Sequence, residues 1–146
     1  MNAPARLMLL LVPLIALAAC ADSDLTRESH PTTLHGTAWR VVSVNGRPAV
    51  AGSEPTAIFA AGDVKGSGGC NSYGGRYAYE PSTGAIAFRD LAMTAMACLE
   101  PARNDFEMLF SQAITGAASA SMDAQGRLVL SGPGGEIVFA VDAVPG

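Results

Sequence analysis

The chain has little of what catalytic and metal sites are built from. Its 146 residues include two histidines, three cysteines and one tryptophan, and 15% of them are charged. His30 and His35 lie far from Cys70 and Cys98 in sequence, so a cysteine nucleophile has no local base. The cysteines and histidines lack zinc spacing. Asp63, Asp90, Asp105 and Asp123 are too scattered to form a calcium loop. No Gly-Lys-Ser/Thr follows the glycines, which removes a P-loop, and Lys65 precedes them instead. A dinucleotide fingerprint would need a βαβ unit, and none is visible. The formal charge is −4 with no basic run, which excludes a nucleic-acid footprint and a polybasic lipid-binding segment. The expectation is a protein with no catalytic residues, metal or cofactor, and no nucleic-acid partner.

One apolar run stands out. Met1 to Arg6 carries a single positive side chain, Leu7 to Leu17 is apolar, and Ala18-Ala19-Cys20 follows. That is the layout of a secretory signal over residues 1–19. The run is shorter than the roughly 20 residues that span a bilayer, and Pro13 weakens it as a helix. Cysteine directly after Leu-Ala-Ala resembles a bacterial lipobox, in which the thiol is diacylglycerated and the chain is cut before it. The expected partner is therefore the membrane, reached through lipid on Cys20. Loss of Arg6 with the leader makes the mature chain more acidic, so the acyl chains alone must anchor it. Ala21 precedes Asp22, and by analogy with enteric sorting this favours the outer membrane over the inner.

With Cys20 set aside, Cys70 and Cys98 are an even pair in an exported chain, the pattern of a disulfide. Closing a loop of about 29 residues would contribute roughly 3.5 kcal/mol. Two buried free thiols are the alternative, because spacing alone does not bring two Cα atoms together.

Residues 20–33 are polar and aperiodic and read as a flexible tether, with the folded domain over 34–142. Thr37 to Val44 has strand composition, with Trp39, Val41 and Ser43 on one face. Asn45-Gly46 is a turn, residues 47–55 a loop, and Thr56 to Ala60 a short strand. The glycine-dense stretch from Asp63 to Gly75 reads as a sharp sheet corner. Arg76 to Tyr79 and Ala85 to Arg89 are extended, flanking a turn at Pro81 to Gly84. Pro101 opens one helix, whose apolar stripe is Ala102, Phe106, Leu109, Phe110, Ala113 and Ile114, with Gly116 as its stop. Glu100, Asp105 and Glu107 read as its solvated face. Three more strands, at 118–122, 127–130 and 136–141, form a meander. The fold class is α+β: a strongly bent, mostly antiparallel sheet of short strands, open or partly closed into a barrel, with one packed helix.

Tyr73, Tyr77 and Tyr79, with Met96, are the candidate ligand patch; half-buried sheet packing is the alternative. Met93, Met96 and Met108 either line an adaptable groove or fill the core. Trp39, Phe59 and Phe139 read as core.

Gly69-Cys-Asn-Ser-Tyr-Gly-Gly-Arg-Tyr77, then Ile86-Ala-Phe88 and Met93-Thr-Ala-Met-Ala-Cys98, carry a family resemblance. Gly36-Thr-Ala-Trp39, Val44-Asn-Gly46, Phe106 through Ile114, Gly126 to Leu130 and Glu136 to Phe139 complete it in order. The domain resembles the META family of HslJ-like bacterial heat-shock lipoproteins. The resemblance implies a small envelope domain without agreed catalytic residues, associated with heat stress and antibiotic tolerance, notably to novobiocin. Ala95 departs from the basic residue often found there, so no charge-mediated contact is carried over. The expected function is a lipid-anchored, non-enzymatic envelope protein in stress response; the alternative is a periplasmic small-ligand carrier or inhibitor.

Overall fold

The computed structural model describes residues 29–143. The leader expected over 1–19 and the lipidation expected at Cys20 lie outside the described residues. The strands are β1 (Thr37–Val44), β2 (Arg47–Pro48), β3 (Thr56–Phe59), β4 (Asp63–Ser67), β5 (Ser72–Glu80) and β6 (Ala85–Met93). After the helix α1 (Pro101–Thr115) come β7 (Ser119–Met122), β8 (Leu128–Gly132) and β9 (Gly135–Val141). Every pairing is antiparallel, and β1 pairs with both β3 and β9. The sheet is therefore a closed eight-strand barrel, with β2 as a spur on β1. Closure decides between the two architectures the sequence left open, and it removes the sheet edges.

Inward positions alternate as a half-buried strand requires. Val41, Val44, Ala57, Phe59, Val64, Ile86, Leu128, Leu130, Ile137 and Phe139 are buried, and Trp39 nearly so. The face expected for β1 is corrected beyond Val41. A register shift between Val41 and Ser43 turns Val44 inward and leaves Ser43 part-exposed, as a bulge does.

The glycine-rich corner is also shorter than expected. Asp63–Ser67 and Ser72–Glu80 pair in register as strands, and only Gly68–Asn71 turns between them. Among the described residues there is one α-helix, whose Phe106, Phe110, Ala113 and Ile114 are buried as the stripe predicts. Ala102 is exposed instead, as are its first-turn neighbours Pro101 and Asn104. The helix stops at Gly116, but its φ of −92° is not left-handed. A side chain is excluded there by space, since a Cβ would lie 2.5 Å from the Gly134 nitrogen.

The helix packs against β1, β6, β8 and β9, so it lies across the barrel rather than along one wall. One seam of the barrel is narrow: β6 and β7 are joined at a single residue pair, Ala85 and Ser119. Beyond that pair, the chain ahead of β1 takes the place of β6. Ser29 bridges Met122, whose N–H donates to the Ser29 carbonyl at 2.7 Å. His30 Nδ1 lies 3.2 Å from the Ala120 carbonyl, and Pro31 accepts from the Tyr79 hydroxyl. The end of the segment expected to be a free tether is thus a strap on the barrel, and residues 29–31 pack on it ahead of Leu34. No helix among the described residues is long and apolar enough to cross a membrane.

Candidate functional site

The strongest polar constellation sits where the Gly68–Asn71 turn meets the segment after β6 and the first half of α1. Cys70 and Cys98 are joined by a disulfide, with their Cα atoms 5.7 Å apart. That spacing is ordinary for such a bond. The alternative of two free thiols is thereby set aside, and the β4–β5 turn is tied to the lead-in of the helix.

Beside the disulfide lies Glu107, buried although ionisable. Its Oε2 accepts the backbone N–H groups of Cys70 at 2.9 Å and Asn71 at 2.6 Å. Its Oε1 accepts the Asn71 side-chain amide. Among the described residues no cationic side chain lies within 4.0 Å of it. Its charge is met by N–H dipoles alone, the arrangement of an anion-binding nest. The glycines explain how the turn closes so tightly: a Cβ on Gly68 would lie 2.7 Å from the Glu107 carboxylate. A loop whose composition evokes phosphate binding does hold an anion, and the anion is the chain's own side chain.

Asn71, also buried, works in both directions. Its Oδ1 accepts from the Thr94 hydroxyl at 2.9 Å and the Met96 N–H at 2.7 Å, while its Nδ2 donates to the Met96 carbonyl at 3.0 Å and to Glu107. Both amide hydrogens and both lone pairs are used. The backbone of Thr94–Met96 is therefore clamped although it has no regular structure. The Met96 side chain points away and is 62% exposed. Met108 is exposed as well, so of the three methionines only Met93 packs on the core. An open depression of about 290 Å³, lined by Gly69, Cys70, Cys98, Leu99 and Arg103, reaches the disulfide from solvent.

The tyrosines of the expected patch use their hydroxyls on three different carbonyls. Tyr73 is buried, packs 5.5 Å from the Phe110 ring and donates to Thr56. Burial pushes its phenol well above the usual range. Tyr77 packs edge-on against Phe59 at 4.9 Å and donates to Ala60. Tyr79 donates to Pro31 of the strap. Burial raises Tyr77, and burial followed by the Glu80 charge raises Tyr79. Tyr73 borders a cavity of about 40 Å³ beside Leu91, Met93 and Ile114. That space suits about one water, not an organic ligand. Tyr77 and Tyr79 border open surface depressions.

Glu107 and Asn71 were missed from the sequence as a site. The sequence pattern places Glu107 on the solvated face, which its burial corrects. A signal was present: Glu107 stands three residues before Phe110 and seven before Ile114, on the edge of the apolar stripe. Asn71 offered none beyond its place after Cys70.

The fold has solved counterparts. A protein from Burkholderia xenovorans solved by NMR matches with a TM-score of 0.63 and 19% identity, over 97% of this chain and 100% of that one. A second NMR structure matches with a TM-score of 0.60 and 24% identity, over 73% and 90%. A DUF4847 family protein from Bacteroides vulgatus matches with a TM-score of 0.51 and 16% identity, over 77% and 96%. These likenesses concern the fold alone. No curated protein matches the chain. The family model described as META domain matches residues 32–144.

Proposed function

The chain belongs to the META domain family, and from that premise we propose that it is a lipid-anchored, non-enzymatic protein of the bacterial envelope that contributes to stress or antibiotic tolerance. The observation that carries this reading is the Leu17-Ala-Ala-Cys20 segment behind its apolar run. The Cys70–Cys98 disulfide supports it, because such bonds persist in oxidising compartments. In this reading lipid on Cys20 holds the chain to the membrane, outer rather than inner. Interaction with other molecules then takes place on the barrel's outside, since aromatic and aliphatic side chains occupy the interior.

Two experiments test the two halves. Labelled palmitate is expected to enter the parent protein and not the Cys20→Ala variant. Equal labelling of both, or none in a parent handled beside a known lipoprotein, removes the anchor. Cells lacking the chain are expected to survive heat or novobiocin less well and to recover on complementation. Unchanged survival under both removes the stress role.

A further inference from the structure

The disulfide and the buried carboxylate stand closer to one another than a structural cystine needs. The sulfurs of Cys70 and Cys98 and a carboxylate oxygen of Glu107 all lie within 4.8 Å of one another. The sequence separation of 28 between the cysteines resembles no zinc motif, so folding alone brings this set together. We propose that, after reduction of the disulfide by a dithiol, Cys70, Cys98 and Glu107 form a binding site for one thiophilic divalent cation of the zinc class.

The chemistry balances. The dithiol passes two electrons and two protons to the Cys70–Cys98 bond and itself becomes a disulfide. Cation binding then displaces both thiol protons, because the thiolate is the ligand. Two thiolates and one carboxylate are ordinary zinc ligands, and a fourth, open position is left for water.

Three features favour capture over simple opening. The first is that the disulfide is not all that joins the two cysteine segments. Asn71 holds Thr94 and Met96 through three hydrogen bonds, and Thr94 Oγ1 accepts the Ser72 N–H at 3.1 Å. The thiols therefore stay near each other once the bond is cut. The second is that Glu107 is oriented by N–H donors of Cys70 and Asn71, as outer partners orient a metal-ligating carboxylate. Its Oε1 accepts one hydrogen bond and keeps a lone pair free. The third is access: the 290 Å³ depression opens on both cysteines.

The test uses the full chain carrying Cys20→Ser, which removes the remaining thiol, reduced with a phosphine and titrated with Cd²⁺ as a spectroscopic probe. One equivalent is expected to bind with a thiolate-to-metal absorption band and the release of two protons. The oxidised protein is expected to show no band. Glu107→Gln is expected to weaken uptake about tenfold or more, while two thiols remain titratable and the circular dichroism of the parent is retained. X-ray absorption on the Cd²⁺-loaded Cys20→Ser chain needs no change at the site itself and is expected to find two sulfur neighbours, the rest oxygen. A stoichiometry of two chains per cation, four sulfur neighbours, or equal uptake by a folded Glu107→Gln chain would overturn the proposal. So would the absence of any band.

Discussion

The β5–β6 hairpin is held at its two ends by different means. At one end Gly68–Asn71 and Thr94–Cys98 are joined by a disulfide, a buried carboxylate and an amide with every position used. At the other, Tyr79 near the end of β5 and the strand β7 are joined by a part-exposed strap from Ser29 to Pro31. The first end gathers buried, directional interactions, each costly to lose singly because a desolvated partner is left behind. The second uses one backbone bridge and two side-chain contacts to carbonyls near solvent, where water replaces whatever is removed. The contrast assigns most of the local stability to the disulfide end and most of the local opening to the strap end.

The largest effect is expected at Glu107. Glu107→Ala orphans the N–H groups of Cys70 and Asn71 and one Asn71 amide hydrogen, at about 4 kcal/mol or more in all. Denaturant unfolding checks this, and a loss under about 1 kcal/mol would show that water satisfies the nest. Next comes the disulfide. Cys98→Ser is expected to lower stability by about 3.5 kcal/mol through the unfolded chain, with the amide pattern of the barrel unchanged in NMR spectra. Combining the two is expected to cost less than their sum, because both act on one turn. Strict additivity would mean that the disulfide and the carboxylate act independently.

The strands and helix were legible for reasons that act locally. The alternation in β8 and β9, Asn45-Gly46, whose residues both have positive φ, and the stripe through Phe106 and Phe110 each announce themselves within a few residues. The closure of β1 on β9 was not, because it joins segments about a hundred positions apart and depends on the summed twist of the sheet. The disulfide could be anticipated by counting cysteines, whereas Glu107 could not be told from a surface acid without knowing what packs on the helix. The strap was hidden for a similar reason. Ser29, His30 and Pro31 are polar or turn-forming, and only the short overlap of β6 with β7 creates a place for them.

The strap end should respond more weakly to change. Gly84 has φ of +70°, and a Cβ there would lie 2.7 Å from the Ala120 carbonyl and against the His30 ring. Gly84→Ala is therefore expected to cost about 1–3 kcal/mol in backbone strain and to displace His30. Hydrogen exchange at the Met122 N–H, whose acceptor is Ser29, should quicken well before exchange at the Asn71 N–H changes. Equal quickening at both would mean the two ends open together, and the comparison would fail.

The smallest effect is expected from Asp123, which follows Met122 in the chain. Desolvation pushes its carboxyl up, but hydrogen bonds from the Arg127 N–H and guanidinium and the Gln125 N–H, with the Arg127 charge, outweigh this and hold it below the usual range. A depressed folded-state value means that the stabilisation is present above the unfolded value, about 4. It is lost as pH falls through the folded one. The pair is part-exposed and screened by salt, so its contribution is small. In low salt the parent is expected to melt slightly above Asp123→Asn at pH 6, with the gap closing below about pH 4 and shrinking in high salt. A gap that ignores both pH and salt would mean that the Asp123 side chain shapes the β7–β8 turn by geometry rather than charge. The strap beside it would then rest on a stiffer support than the comparison assigns to that end.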